Sequence, residues 1–307
     1  MSLNDGPAQT GTLLSTIESQ RGRAVHTLYK LEQANGACNT FSRVMASLGG
    51  ILGDDFLQFV ARHSDVLDSI AKQGLEYDSK ALDEFGLATL QRGYLLSNET
   101  VTELPAYMYT RCAVVACIGR GNAMALSLRQ ANRKAGREKP YINQEEVEDI
   151  ERAIIPLIAQ CATMLFERRS TFATPVLFNS GCRLNANLAS CFLVAMTPSH
   201  DSVDGVFSTL HKCAIISSVS GGLGISMHDI RAKGTKMDSG QGEATGLLPV
   251  MRLFNEMSKN VDQGGGKRRG SCAVYLEPHH PDLITFLEAR QTHGQVGANA
   301  SNKRPPL

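Results

Sequence analysis

The densest concentration of reactive character in the chain is Val261-Asp-Gln-Gly-Gly-Gly-Lys-Arg-Arg-Gly270, which runs directly into an apolar stretch ending at Pro278. Three consecutive glycines, Gly264, Gly265 and Gly266, give a backbone that can take positive φ and lie against a ligand. Lys267, Arg268 and Arg269 then place three positive charges on it. That chemistry suits an anion, and between a helix and a strand the segment reads as a phosphate contact. The same composition also describes flexible surface loops and nucleic-acid tails, and the segment alone does not choose between them. Thiols are the other reactive class. Cys38, Cys112, Cys117, Cys161, Cys182, Cys191, Cys213 and Cys272 show no C-x-x-C pair and no metal-ligand spacing. In a reducing compartment most such cysteines are small buried hydrophobes. His279 and His280 adjoin one another, but no further ligands stand at workable spacing, so no metal is expected.

The composition limits where such groups can act. A chain of 307 residues accommodates one large or two ordinary domains, and 42% hydrophobic residues suffice for a sizeable core. With 31 Lys and Arg against 30 Asp and Glu there is no global field to recruit nucleic acid or an anionic membrane, so any anion site must be local. No apolar run approaches the roughly 20 residues that span a bilayer, and no targeting segment stands at the N-terminus. The expected setting is cytoplasmic or nuclear.

The elements that must hold these groups follow from apolar spacing. Residues 1–40 are polar and predict a loosely held, flexible arm. From 41 to 169 the spacing is helical, with Phe56 and Val60, and Val66 and Ile70, each four apart. Asn143 with Glu146 forms a capping box ahead of Val147, Ile150, Ile154, Ile158, Cys161 and Leu165, and Pro156 is expected to kink or split that helix. After 169 the pattern changes. Thr171 to Phe178 reads as an extended segment and Ala189 to Met196 as a strand. Asp201 and Ser202 cap a helix that uses Val203, Val206, Leu210 and Ala214. Leu223 to Met227 is a second strand, 246 to 262 a helix, Ser271 to Leu276 a third strand, and a further helix begins after His279. This alternation predicts a parallel α/β sheet or barrel with ligands at the strand C-terminal ends, where the loops at Arg231 and Gly264 are expected.

Seven motifs in order, Thr174-Pro-Val-Leu-Phe-Asn179, Leu188-Ala-Ser-Cys-Phe192, Asp201-Ser-Val203, Ser220-Gly-Gly-Leu-Gly224, Ile230-Arg-Ala-Lys-Gly234, Val261-Asp-Gln-Gly-Gly265 and Tyr275-Leu-Glu-Pro278, resemble the first half of the large, catalytic subunit of class I ribonucleotide reductase. The likeness covers roughly residues 50 to 294. It implies an α/β fold, an N-terminal all-helical domain followed by the first strands of a ten-stranded α/β barrel, here incomplete, over 170–294; residues 295–307 have no periodicity and read as a disordered tail. It implies reduction of ribonucleoside diphosphates to deoxyribonucleoside diphosphates for DNA synthesis. By position, Cys191 would be a redox cysteine, and Thr174, Ser190, Cys191 and Gly222 would contact substrate. Asp201, Ser202, Val203, Arg231, Asp238 and Ser239 would bind an allosteric deoxynucleoside triphosphate or ATP. Gln263, Gly264, Gly265, Lys267 and Arg268 would form a loop relaying effector identity to the substrate. No cofactor would be bound by the chain itself; the radical would come from a separate metal-containing small subunit. Other implied partners are a second copy or a full-length large subunit, in a homodimer or heterodimer.

The sequence departs from that pattern in several places. Ser218 stands where many relatives have a lysine, with Lys233 or Lys236 as substitutes, and Gly266 and Arg269 replace the usual Asn and Pro. Nothing at the N-terminus resembles the family's ATP cone. The likeness stops near Gly294, so the radical cysteine, the partner of Cys191 and the radical pathway are expected to be missing and the chain alone inactive. A non-catalytic reductase-like interaction protein and a fragment of a complete enzyme are the alternatives.

Overall fold

The computed structural model describes residues 7–135, 142–184, 187–197, 201–236, 242–261 and 270–289. The chain divides into two compact units, Met1–Leu188 and Ala189–Leu307.

The first unit is helical: α1 (Pro7–Ala34), α2 (Phe41–Ser47), α3 (Asp54–Arg62), α4 (Ser64–Ala81), α5 (Glu84–Gly93), α6 (Pro105–Lys134), α7 (Gln144–Phe166) and the short α8 (Thr174–Asn179). Two elements differ from the sequence expectation. In place of a loose arm, α1 forms a helix in which Ala24, Leu28 and Leu31 recur four and three residues apart; Ala24 is fully buried and Leu31 packs on the core. In place of an extended segment, residues 174–179 are helical, because Pro175 falls at the helix start, where its missing N–H costs nothing and its fixed φ is already helical. The α7 capping box forms as expected: Asn143 Oδ1 accepts from the Glu146 amide at 2.8 Å, and Glu146 Oε2 accepts from the Asn143 amide at 3.0 Å. The helix continues unsplit through Pro156. Ile154, Ile158, Ala162 and Leu165 are buried on both sides of the proline, and that burial outweighs the roughly 3 kcal/mol it costs. Of the four residues expected on the first helical stripe, Phe56, Val60 and Ile70 are buried but Val66 is exposed.

Two buried charges tie this unit together. Arg111 is wholly buried. Its guanidinium donates to Glu103 (2.7 and 2.9 Å) and to the carbonyls of Ser180 (2.7 Å) and Leu177 (2.9 Å), the last turn of α8. Asp78 accepts from the Ala106 amide at the start of α6 (2.6 Å) and from Arg168 (3.0 Å). Arg168 takes a left-handed conformation (φ 59°) just past α7, where the amides of Arg168 and Arg169 reach back to Leu165 and Met164. Its pairing with Asp78 and its stacking over Tyr109 offset the cost of that backbone.

The second unit alternates β1 (Cys191–Ala195), α9 (Val203–Ser218), β2 (Gly222–Ser226), α10 (Leu247–Asn260) and β3 (Cys272–Tyr275), with helical turns at 283–289. The strands lie parallel in the order β1-β2-β3, with Cys191 opposite Gly222 and Leu223 opposite Cys272. Parallel neighbours need crossovers, and α9 and α10 supply them. Their apolar faces bury one side of the sheet: Cys213 and Phe254 join Leu223, Ile225, Met227, Ile230 and Leu247 in one core. The opposite side carries Cys191, Leu193 (85% exposed) and Tyr275 (55% exposed). Gly224 lies between the last two, and a Cβ there would come within 2.8 Å of Leu193 Cδ2 and 3.1 Å of the Tyr275 ring. On α9, Val206, Leu210 and Ala214 are partly buried as expected, whereas Val203 is 75% exposed. No described helix is long and apolar enough to cross a membrane.

Candidate functional site

The residues singled out in the sequence fall at two ends of the sheet. At the strand N-terminal end, Ser190, Cys191 and Gly222 are brought together. The Gly222 amide donates to the Ser190 carbonyl at 2.7 Å, and Ser190 Oγ lies 3.6 Å from Cys191 Sγ. A Cβ on Gly222 would meet the Ser190 oxygen at 3.0 Å and Cys191 Sγ at 4.0 Å, so only glycine keeps this corner open. Cys191 is the exposed thiol of this unit; Cys213 is buried, and Cys272 is turned toward α10, 2.7 Å from Ser258 Oγ. Thr174 belongs to the first unit, at the start of α8.

At the strand C-terminal end, Asp201 and Arg231 form a charge-assisted pair: Arg231 Nε donates to Asp201 Oδ2 at 2.6 Å and Nη2 donates to the Asp201 carbonyl at 3.0 Å. Ser202 caps α9 by accepting from the Gly205 amide at 3.1 Å, so its hydroxyl is engaged with its own helix. Together these set a guanidinium, a carboxylate and a helix N-terminus side by side, an arrangement able to grip a sugar hydroxyl and a phosphate. Ser218 donates to the Ile215 carbonyl at 2.8 Å, while Lys233 and Lys236 are exposed. Asp238, Ser239, Gln263, Gly264, Gly265, Lys267 and Arg268 lie outside the described residues.

β3 begins at Cys272, paired with Leu223, so its start stands at the end of Cys191 and Gly222 and not at the C-terminal end with Arg231, where the loop at Gly264 is expected; residues 262–269 themselves lie outside the described residues. Sequence reasoning weighed His280 only as a metal ligand and passed over Asp282 altogether. His280 Nε2 donates to the Ile230 carbonyl at 2.8 Å, and Nδ1 accepts from the Asp282 amide at 3.1 Å, which fixes a neutral tautomer. The signal was a histidine and an aspartate flanking Pro281 just after a strand, a turn whose side chains bond backbone.

Residues 189–303 match the family described as ribonucleotide reductase, barrel domain, nine residues past the point where the sequence reading ends the likeness. That match takes in all three strands of the sheet. Over 248 residues the chain is 38% identical to the ribonucleoside-diphosphate reductase large subunit of Arabidopsis thaliana, covering 80% of this chain and 25% of that protein. It is 37% identical over 246 residues to the large chain of Schizosaccharomyces pombe (80% and 25%) and 34% over 256 residues to the large subunit of Trypanosoma brucei brucei (81% and 26%). The chain is a relative of the ribonucleoside-diphosphate reductase large subunit and spans about a quarter of the length of these relatives.

Proposed function

We propose that the chain is a nucleotide-binding segment of a ribonucleoside-diphosphate reductase large subunit. In this reading Asp201, Ser202 and Arg231 hold an effector deoxynucleoside triphosphate or ATP, and Ser190, Cys191 and Gly222 hold part of a ribonucleoside diphosphate; Thr174 is a substrate contact on the strength of its motif alone. The observation that carries it is the Arg231–Asp201 pair at the N-terminus of α9. A cation fixed at that point beside the positive end of a helix dipole favours a phosphate, and the fixed carboxylate beside it favours a ribose hydroxyl. Asp238, Ser239 and the relay segment around Lys267 belong to the same proposal, on the strength of the motifs alone.

Reducing a ribose carbon consumes two electrons, which thiols deliver as a pair closing a disulfide. Cys191 is the exposed thiol of the second unit, so the redox step needs a second sulfur from elsewhere. The radical is assigned to a separate small subunit. The exposed sheet face around Leu193 and Tyr275, turned away from α9 and α10, is the side on which substrate would lie.

Thermal melting with dTTP, dGTP, dATP and ATP tests the reading. A ligand at about a hundred times its Kd adds roughly 2.7 kcal/mol, a readily measured shift, and Arg231→Ala should abolish it. No shift at millimolar nucleotide overturns it. A second observation favours association with another large subunit: Val203 (75% exposed), Phe207 (54%) and Ile215 (53%) recur at four and eight residues on α9, an apolar stripe beside the nucleotide site. Phe207→Glu should leave a concentration-dependent dimer monomeric in sedimentation experiments.

A further inference from the structure

We propose that His280 and Asp282 are positioning residues of the nucleotide site, locking the Arg231 segment and the start of α10 into one arrangement; this rests on the effector reading of Asp201 and Arg231. Arg231 is held on both sides along the chain. Before it, the Ile230 carbonyl accepts from His280 Nε2 at 2.8 Å; after it, the Lys233 amide donates to both carboxylate oxygens of Asp282 at 3.2 Å. His280 is only 6% exposed, and its other nitrogen accepts from the Asp282 backbone amide, which ties the ring to the residue that carries the carboxylate.

The same carboxylate reaches a second element. Asp282 Oδ2 accepts from the Leu247 amide, the first of α10, at 3.0 Å. That helix begins at Gly246, which offers no side-chain cap, and carries no acidic residue in its first turn. Asp282 therefore supplies from a distance both the capping acceptor and the negative charge that the helix N-terminus favours. Gly246 permits the approach. Its φ is +86°, and a Cβ there would stand 2.7 Å from Asp282 Oδ2 and 2.8 Å from Lys233 Cβ. Three separate stretches, 230–233, 246–247 and 280–282, meet at this point, and the only cation of the Asp201 pair stands on the first.

The consequence for binding is preorganisation. An arginine on an unfixed loop must be ordered when it takes a phosphate, and one already held between two anchored residues need not be. Neither His280 nor Asp282 has to touch the nucleotide.

The test uses the full chain with dTTP and ATP as probes, read by calorimetric titration, together with hydrogen exchange at residues 230–233 and 247. Asp282→Ala and His280→Phe should weaken nucleotide binding about tenfold through lost preorganisation. They should speed exchange at 230–233 and 247 and leave protection of β2 unchanged. His280→Gln, which keeps a donor for the Ile230 carbonyl, and Asp282→Asn, which keeps one acceptor oxygen, should recover part of the lost affinity. Unchanged affinity in Asp282→Ala and His280→Phe overturns the inference while leaving the effector reading intact. So does an affinity loss accompanied by equal loss of protection across β2, because the role is then general stability. If the wild-type chain binds neither probe at millimolar concentration, the effector reading fails and this inference fails with it.

Discussion

Replacing Arg111 by methionine should break the first unit at its most expensive point. Arg111 and Glu103 both have 0% side-chain exposure. Burial alone would pull the guanidinium's pKa down, but the charge and hydrogen bonds of Glu103 override it and hold the group protonated. Without the arginine, the Glu103 carboxylate keeps only the Leu96 amide, 3.1 Å from Oε2, and the carbonyls of Leu177 and Ser180 lose the donor that joins them. An uncompensated buried charge of this kind costs about 3–5 kcal/mol, a large part of a domain stability of roughly 5–15 kcal/mol. Adding Glu103→Gln to Arg111→Met removes the stranded charge and keeps an acceptor for Leu96. The double variant should lose only about 1–3 kcal/mol, roughly 2 kcal/mol less than Arg111→Met alone and well short of the sum of the two singles. Urea unfolding followed by tyrosine fluorescence isolates the effect, because six of the seven tyrosines lie in the first unit and the chain has no tryptophan. If Arg111→Met costs under about 1 kcal/mol, or if the double variant loses the sum of the two singles, the buried-pair argument is wrong. The result also bears on binding, since the two carbonyls close the helix that begins at Thr174.

Asp78 should make stability pH-dependent in an unusual direction. Burial raises its pKa from 3.8 to about 6 against the opposing pull of Arg168 and the Ala106 amide. The folded state holds the proton more tightly than the unfolded chain, so this contribution is complete below about pH 4 and is lost as pH rises through 6. It amounts to roughly 3 kcal/mol, and denaturation of wild type against Asp78→Asn at pH 4 and pH 7 should show the difference shrink by that order. Gly74→Ala should cost about 1–3 kcal/mol by overpacking, because its Cβ would stand 2.5 Å from the Phe166 ring; a full-strength melt would refute it. Timed alkylation at neutral pH should label Cys191, which is exposed, and Cys161, whose pKa a hydrogen bond from Cys117 lowers to about 7, well before Cys112 and Cys213, which burial pushes up to about 11. Early labelling of Cys112 would show that the α6 core opens more readily than its burial implies.

What the sequence made legible is what short-range chemistry decides. The Asn143–Glu146 box, the Ser202 cap and the three strands all follow from residues within a few positions of one another. What stayed hidden depends on distant partners. Nothing local marks Arg111 as the residue that holds carbonyls 66 and 69 positions away, or His280 as the donor to a carbonyl 50 positions back. Pro175 was misleading for a different reason: proline stops a helix from inside but starts one from its first turn. Val203 has the right spacing for burial, yet its stripe faces outward, because periodicity shows that a helix has an apolar face and not which neighbour covers it.

The direction of the strands sets two groups of motif residues at opposite ends of the sheet. Ser190, Cys191 and Gly222 stand where β1 and β2 begin, and Asp201 and Arg231 stand beyond where they end, so strands of five residues hold the two groups roughly 15 Å apart. Two described helices reach both ends: α9, which runs from Ser202 beside Asp201 to Ser218 ahead of Gly222, and α10. The first amide of α10 is held by Asp282 beside Lys233, and near its last turn Ser258 meets Cys272, the first residue of β3. At 14 residues it spans about 21 Å, enough to bridge the sheet. If α10 moves as a rigid rod, Asp282→Ala, which frees one end of it, should change exchange at residues 258–261 as well as at 247. If exchange rises at 247 alone, α10 does not move as a rigid rod and the two ends are not mechanically joined through it.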